Sequence, residues 1–327
     1  GMVAPRSIHD VDLIASTSSM ALMLFARLAR LAATLFAVTL ITFSMVSLLP
    51  GDPVDAILGQ TERTPEIEEE LRTELKLDEP FVQRYLNWLG DAVQGDLGES
   101  YINRGQTVTG EIKNRVPVTG QLALMAIMMA VAVAVPVGIL GAYRQGKWQD
   151  TTTSAAAQVA LSVPNFITGI FLIYVFSVRL GWLPASNWNR ITNKGLVENL
   201  KTAIMPATAL ALTQMAIFSR LVRSDMIGTL QQDFILAARA KGLSNRFILF
   251  RHALRPSSLS LATIIGINFG ALLGGTVVIE TLFAVPGLGF RLINAINSRD
   301  ILMIQGITVF VAAAYVIINA LVDILYT

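Results

Sequence analysis

The sequence predicts an all-α integral membrane protein of six spanning helices, with both termini cytoplasmic and a helical segment outside between the first two spans. Three observations predict it. The 327-residue chain is 53% hydrophobic and only 15% charged, with a mean hydropathy of +0.58, whereas soluble domains carry about a quarter charged residues. Uncharged runs long enough to cross a bilayer occur six times, at 31–49, 116–142, 151–178, 202–219, 256–279 and 301–322. The segment after the first run is rich in acids, whereas those after the second and fourth runs are basic.

Each run meets the physical requirement for a span. A hydrocarbon core about 30 Å thick needs about 20 apolar residues at about 1.5 Å rise each. Backbone groups unsatisfied in lipid are costly, so the runs are expected to be helical. The chain divides into an N-terminal extension at 1–22, a first spanning helix at 23–49, an extracytoplasmic helical segment at 50–115 and a five-helix core at 116–327. Gly1 stands ahead of Met2, and Met20 or Met23 would serve equally as a start, so residues 2–19 read as dispensable. The run at 31–49 is too long for a signal-peptide core and reads as an uncleaved anchor.

Orientation follows from Lys and Arg. Arg27 and Arg30 place the N-terminus inside, and Arg144 and Lys147 place the turn after the second run inside. The segment 219–256 holds Arg220, Arg223, Arg239, Lys241, Arg246, Arg251 and Arg255 against Asp225 and Asp233, and is also assigned to the cytoplasm. The segment 50–115 carries fourteen acids against seven bases and is assigned outside. Within it, Thr64-Pro65 followed by Glu66, Glu68, Glu69 and Glu70 is a helix start, with Ile67, Leu71 and Leu75 as its apolar stripe. A second short helix is expected from Pro80 to about Ala92, with Phe81, Tyr85, Trp88 and Leu89 on one face.

Several chemistries are missing from the chain. It has no cysteine and two histidines, His9 and His252. No phosphate-binding G-x-x-x-x-G-K-[ST] loop and no H-E-x-x-H occur, so neither ATP hydrolysis nor metal-assisted hydrolysis is expected, and no metal is assigned. His252 lies in the basic loop, and Asp52 and Asp323 flank run ends, which disfavours a protease within the membrane. An ion-coupled carrier needs buried ionisable groups, and only Arg179, Glu280 and Asp323 lie near run edges. A carrier or passive channel therefore remains the rival to a chain energised by partners.

The most informative segment is 233–256. Ala237, Ala238 and Ala240 bring small side chains to one short helix, which Gly242 is expected to end as a left-handed glycine. Ser244 is placed to cap a second helix bearing Phe247, Phe250 and Leu254, and Pro256 is expected to stop it at the membrane. A helix with alanines on its face can enter a partner's groove closely, with Arg239 and Lys241 free to pair with acids. The alternative is an amphipathic connector resting on lipid. In the fifth run Gly266, Gly270 and Gly274 recur every four residues, a helix-packing stripe that suits either this chain's own spans or a second chain beside it. Pro136, Pro164 and Pro206 lie in or beside runs as candidate bends. Asn165, Thr168, Gln214, Asn268, Thr276 and Glu280 are the candidate lining of a polar route.

The stretch A-A-R-A-K-G-L (237–243), with H-A-L-R-P beginning ten residues after Gly242, resembles the cytoplasmic "EAA" loop of binding-protein-dependent ABC importer permeases. Leu236 stands where the general pattern has Glu, as in the peptide branch. L-L-P-G-D-P (48–53), G-D-L-G-E-S-Y (95–101), S-V-P-N-F-I-T-G (162–169), L-G-W-L-P-A-S (180–186) and E-T-L-F-A-V-P-G-L-G (280–289) are similar to the dipeptide/oligopeptide type, in the subunit with the long first outer loop. The resemblance runs from about residue 23 to the end, and implies a few residues beyond Thr327.

This resemblance implies a type I importer permease fold in the bacterial cytoplasmic membrane. It implies a second homologous permease, two ATPase subunits that use ATP and Mg, and an extracytoplasmic substrate-binding protein. It implies no cofactor on this chain, no catalysis by it and no nucleic acid. Ala237, Ala238, Arg239, Ala240, Lys241, Gly242 and Leu243 are then the coupling segment. Peptide is the first substrate expectation, with nickel chelate, glutathione or haem as alternatives.

Overall fold

The computed structural model describes residues 26–27, 29–45, 54, 64–74, 78–100, 102–103 and 105–325. The N-terminal extension, the L-L-P-G-D-P motif with Asp52, Tyr101 and Thr327 lie outside them, as do the side chains of Ile67, Leu71 and Leu75. Every regular element among the described residues is helical, and Glu99 and Thr107 form an isolated antiparallel bridge.

The helices follow the uncharged runs. α1 (Ala29–Met45) is apolar but short, α2 is Pro65–Glu74 and α3 is Phe81–Val93. α4 (Val108–Tyr143) and α7 (Ile191–Leu230) are the long central pair. Between them stand α5 (Trp148–Ser162) and α6 (Asn165–Arg179). α8 (Asp233–Ala240) leads to α9 (Asn245–Gly275), α10 (Val277–Leu282), α11 (Leu288–Asn297) and α12 (Ile301–Leu325). Four of these, α4, α7, α9 and α12, are long and apolar enough to cross a membrane, and a fifth crossing exists if α5 and α6 count as one.

The core is the α4–α7 seam. Leu122, Ala126, Ala130 and Ala134 recur every four residues on α4 and are buried with Leu210, Phe218 and Val222 of α7. Small side chains on one helix let the other approach, which is how apolar helices gain packing where lipid offers no hydrophobic drive. Gly138 marks the tightest point: a Cβ there would lie 2.8 Å from Val222 Cβ. The glycine stripe of α9 does the same against α12. A Cβ would lie 2.3 Å from Val322 at Gly266, 3.2 Å from Tyr315 at Gly270 and 3.1 Å from Val311 at Gly274. The stripe is therefore spent on packing within this chain.

The segment ahead of α4 is held by two devices. Phe43 of α1 meets the rings of Phe81, Tyr85 and Trp88, and Thr39 hydrogen bonds the Tyr85 hydroxyl at 2.9 Å. The expected helix from Pro80 and its buried aromatic face are present. Beyond it, Ser100 donates to Asp300 at 2.6 Å, Arg291 reaches Asp300 at 3.3 Å and Glu111 at 3.4 Å, and Glu111 also pairs with Arg115.

The candidate bend at Pro164 is present: within the run at 151–178, α5 and α6 meet at 96°. Pro164 lacks an N–H and pushes Val163 into extended backbone, at φ −94° and ψ 119°, so the helix ends and restarts. Pro256 does not stop a helix; it sits inside α9. A π-helical stretch, Ile248–Ala253, lies immediately before it and shifts the hydrogen-bond ladder where proline leaves a gap. The fifth run does not continue to 279, because α9 ends at Gly275 and α10 starts afresh.

Candidate functional site

The basic loop folds as a built unit. Gly242, at φ +78°, closes α8: its N–H donates to the Arg239 carbonyl at 2.9 Å, and the Leu243 N–H donates to Ala238 at 3.3 Å. These two bonds are the Schellman pattern, which needs a left-handed residue at the turn and so favours glycine. Ser244 then caps the next turn, its hydroxyl accepting from the Phe247 N–H at 3.4 Å.

α8 has two distinct faces. Ile235 and Ala238 are buried against Ile248 and Leu230, which seats the helix on the bundle. Ala237, Arg239, Ala240, Lys241 and Leu243 are exposed, together with Phe234 and Leu236. Of the seven residues singled out from sequence, Ala238 therefore faces inward and Gly242 shapes the turn. The other five form the free surface.

A polar brace ties the start of α5 to α7. Asp150, at the start of α5, takes a bidentate pair from Arg223 of α7, at 2.5 Å to Nε and 2.8 Å to Nη2. The Gly146 N–H adds a third bond at 3.0 Å. The Arg223 hydrogen bonds outweigh the cost of burial and hold the Asp150 carboxyl down to about 2, and Asp150 in turn raises Arg223. Nearby, Asn245 reaches the Tyr143 hydroxyl at 3.4 Å, and Thr229 and Ser257 approach to 3.5 Å. These bonds link the α4–α5 turn to the base of α7, and the start of α9 to the ends of α4 and α7. Asp150 was not singled out from sequence. Its only signal was being an acid within three residues of Lys147 in a basic turn.

The six candidate lining residues do not form one cluster. Glu280 and Thr276 are fully buried. Glu280 accepts from the hydroxyls of Thr119 at 2.7 Å and Thr276 at 2.9 Å, and from the Phe290 N–H at 3.0 Å, so it caps the start of α11 from a distance. Thr119 also accepts from the Leu288 N–H at 2.9 Å. A Cβ at Gly287 would lie 2.5 Å from this carboxylate, so glycine there lets the backbone close over it. Thr276 and Glu280 are thus a structural knot and line no open route here. Asn165 accepts from Thr213 at 2.5 Å, and Asn268 donates to its own helix at Ile264. Thr168 is half-buried. Gln214 is buried with Oε1 unpartnered among the described residues. Among the six, Gln214 alone presents an open buried acceptor.

Comparison with known proteins follows the same outline. The family model for the binding-protein-dependent transport system inner membrane component matches residues 134–327, and its N-terminal companion matches 20–123. A Brucella abortus protein named as a peptide transport system permease is 39% identical over 94% of this chain and 97% of its own length. The di/tripeptide transport system permease DppB of Pseudomonas aeruginosa is 36% identical over 92% of this chain and 95% of its own. A solved inward-facing structure of the MetNI methionine ABC transporter superposes at a TM-score of 0.52. It is 17% identical and covers 65% of this chain and 94% of its own, which shows a shared helical fold.

Proposed function

The chain belongs to the binding-protein-dependent transport system inner membrane component family, and from that premise we propose that it forms half of the translocation pathway of an ATP-driven peptide importer. It is a membrane permease subunit of an ABC transporter. In this reading α1, the bent α5–α6 pair and the four long helices make six spans, with both termini and α8 in the cytoplasm. A second permease completes the pathway, two ATPase subunits lie beneath, and a binding protein delivers substrate from outside. This chain holds no nucleotide; ATP and Mg act in the ATPase subunits. Peptide is favoured over nickel chelate, glutathione or haem because the relatives above are named for peptide transport.

One observation carries the mechanism: a short helix and the turn after it expose five residues of the coupling segment, while the helix is seated on the bundle by its opposite face. ATP-driven closure of the ATPases pushes on that free surface. Ala237 and Ala240 let a partner's backbone come close, while Arg239 and Lys241 pair with its acids. The buried contact through Ile235 and Ala238 passes the movement to α7 and α9, and the Asp150–Arg223 brace carries it from α7 to α5. The spans need only have two arrangements for this to alternate access.

The testing experiment substitutes the free face. Ala237→Trp and Ala240→Trp are expected to abolish substrate-stimulated ATP hydrolysis in the assembled complex, with the permease itself still folded by size-exclusion chromatography. Normal stimulation in both variants would refute the docking role.

A further inference from the structure

Away from the coupling unit, positive charge without a counter-ion gathers around a void. A cavity of about 440 Å³ lies between the start of α4 and the segment entering α7, lined by Lys113, Asn114, Gln121, Trp188, Arg190 and Thr192 among others. Its size falls within the range of roughly 300–1,000 Å³ usual for small-ligand sites. Lys113 precedes Tyr143 by thirty residues on one helix, a separation on the order of 45 Å at about 1.5 Å per residue. The cavity is therefore at the opposite end of the bundle from α8, the outer end in the orientation proposed above.

The lining carries two cations and no carboxylate. The acids nearby in sequence are engaged elsewhere: Glu111 pairs with Arg115 and Arg291, and Glu198 with Lys201. Among the described residues neither Lys113 nor Arg190 has an ion-pair partner. Arg190 is steadied by one bond, Nη2 donating to the Asn114 carbonyl at 3.1 Å, which leaves its remaining N–H groups for another acceptor. Gln121 is oriented from behind: its amide donates to Asn199, whose own amide donates to the Asn189 carbonyl at 2.6 Å. That fixes the Gln121 side-chain carbonyl as an acceptor in the lining. Trp188 adds an aromatic surface. Two exposed cations, an oriented amide and a ring on a mostly apolar wall suit a ligand with a carboxylate, an adjacent amide N–H and a side chain.

We propose that this cavity is an entry site for the C-terminal end of a peptide, with the carboxylate between Lys113 and Arg190, the last amide N–H on Gln121 and the terminal side chain against Trp188. The site rests on the peptide reading of the importer. An anionic lipid headgroup offers similar charge, but it has neither the peptide amide that Gln121 would bind nor a side chain for Trp188.

The chain has no cysteine, so a single Thr192→Cys places one thiol in the lining of the cavity. In the whole importer in phosphatidylcholine nanodiscs, its modification by anionic and cationic methanethiosulfonates is followed by mass spectrometry of this chain. The anionic reagent is expected to react about tenfold faster than the cationic one, as a cationic cleft concentrates anions, and Lys113→Gln with Arg190→Gln should bring the ratio near one. Alanyl-alanine should slow the reaction, and alanyl-alanine amide at equal concentration should not. Equal protection by both, or no charge preference, overturns the site. Loss of reactivity in phosphatidylglycerol nanodiscs, with no protection by peptide in either lipid, identifies a headgroup site and also overturns it. Peptide uptake by the same complex separates the two readings. Protection without uptake refutes the peptide importer and leaves the carboxylate site, whereas uptake without protection refutes the site alone.

Discussion

Gly242 shapes the turn that closes α8, and Asp150 the brace between α5 and α7. Gly242 holds φ +78°, where a Cβ crowds the backbone and a β-branched side chain is worst. Gly242→Val is expected to cost about 1–2 kcal/mol locally and to lose stimulated ATP hydrolysis, while Gly242→Asn, tolerated in that region, should retain most of it. The ATPase rate of the assembled complex reads the difference. Asp150 works through charge. Its carboxyl is depressed from 3.8 to about 2, so its stabilisation is complete above about pH 4 and is lost as pH falls through about 2. Asp150→Asn should lower stability at pH 6 by about 1–2 kcal/mol, a buried pair's cost reduced because Arg223 is a third exposed. It should also remove part of the wild type's loss of stability between pH 4 and pH 2. Thermal unfolding of the detergent-solubilised protein at pH 6 and pH 3 measures both.

At the scale of elements, α8 and α9 carry opposite consequences for similar small residues. Ala237 and Ala240 are exposed, but Ala238 is buried against Ile248. Ala238→Trp is therefore expected to pry α8 off its own bundle and expose the loop to protease, whereas Ala237→Trp should leave the digestion pattern unchanged. Limited proteolysis distinguishes them. On α9, Gly266→Leu should cost about 1–3 kcal/mol by overpacking against Val322, visible as a lower unfolding temperature in the same detergent. These elements also mark what the sequence made legible. The uncharged runs located the long helices, and Gly242 and Ser244 announced their caps, because those signals are local. The 96° bend was legible as a proline within a run, Pro164, though not its angle. The π stretch before Pro256 and the break at Gly275 left no period to read. Thr119, Thr213 and Asp150 acquire their roles from partners 161, 48 and 73 residues away, and such pairings are set by packing rather than by neighbours in sequence.

At the scale of the whole molecule, the chain has a free coupling-type face at one end of its bundle and a cationic cavity at the other. It has no phosphate-binding loop of its own. Among the described residues Glu280 is knotted by three hydrogen bonds rather than placed in an ion relay, and Gln214 keeps a buried carbonyl without a partner. The proposed importer takes its energy from partner ATPases, and the most direct measurement is uptake in proteoliposomes of defined composition. With the second permease, the ATPase subunits, the binding protein and ATP present, labelled dipeptide should accumulate. Leaving out the ATPases should reduce uptake to that of empty vesicles. Dipeptide accumulation by this chain without any ATPase would contradict the account at its centre.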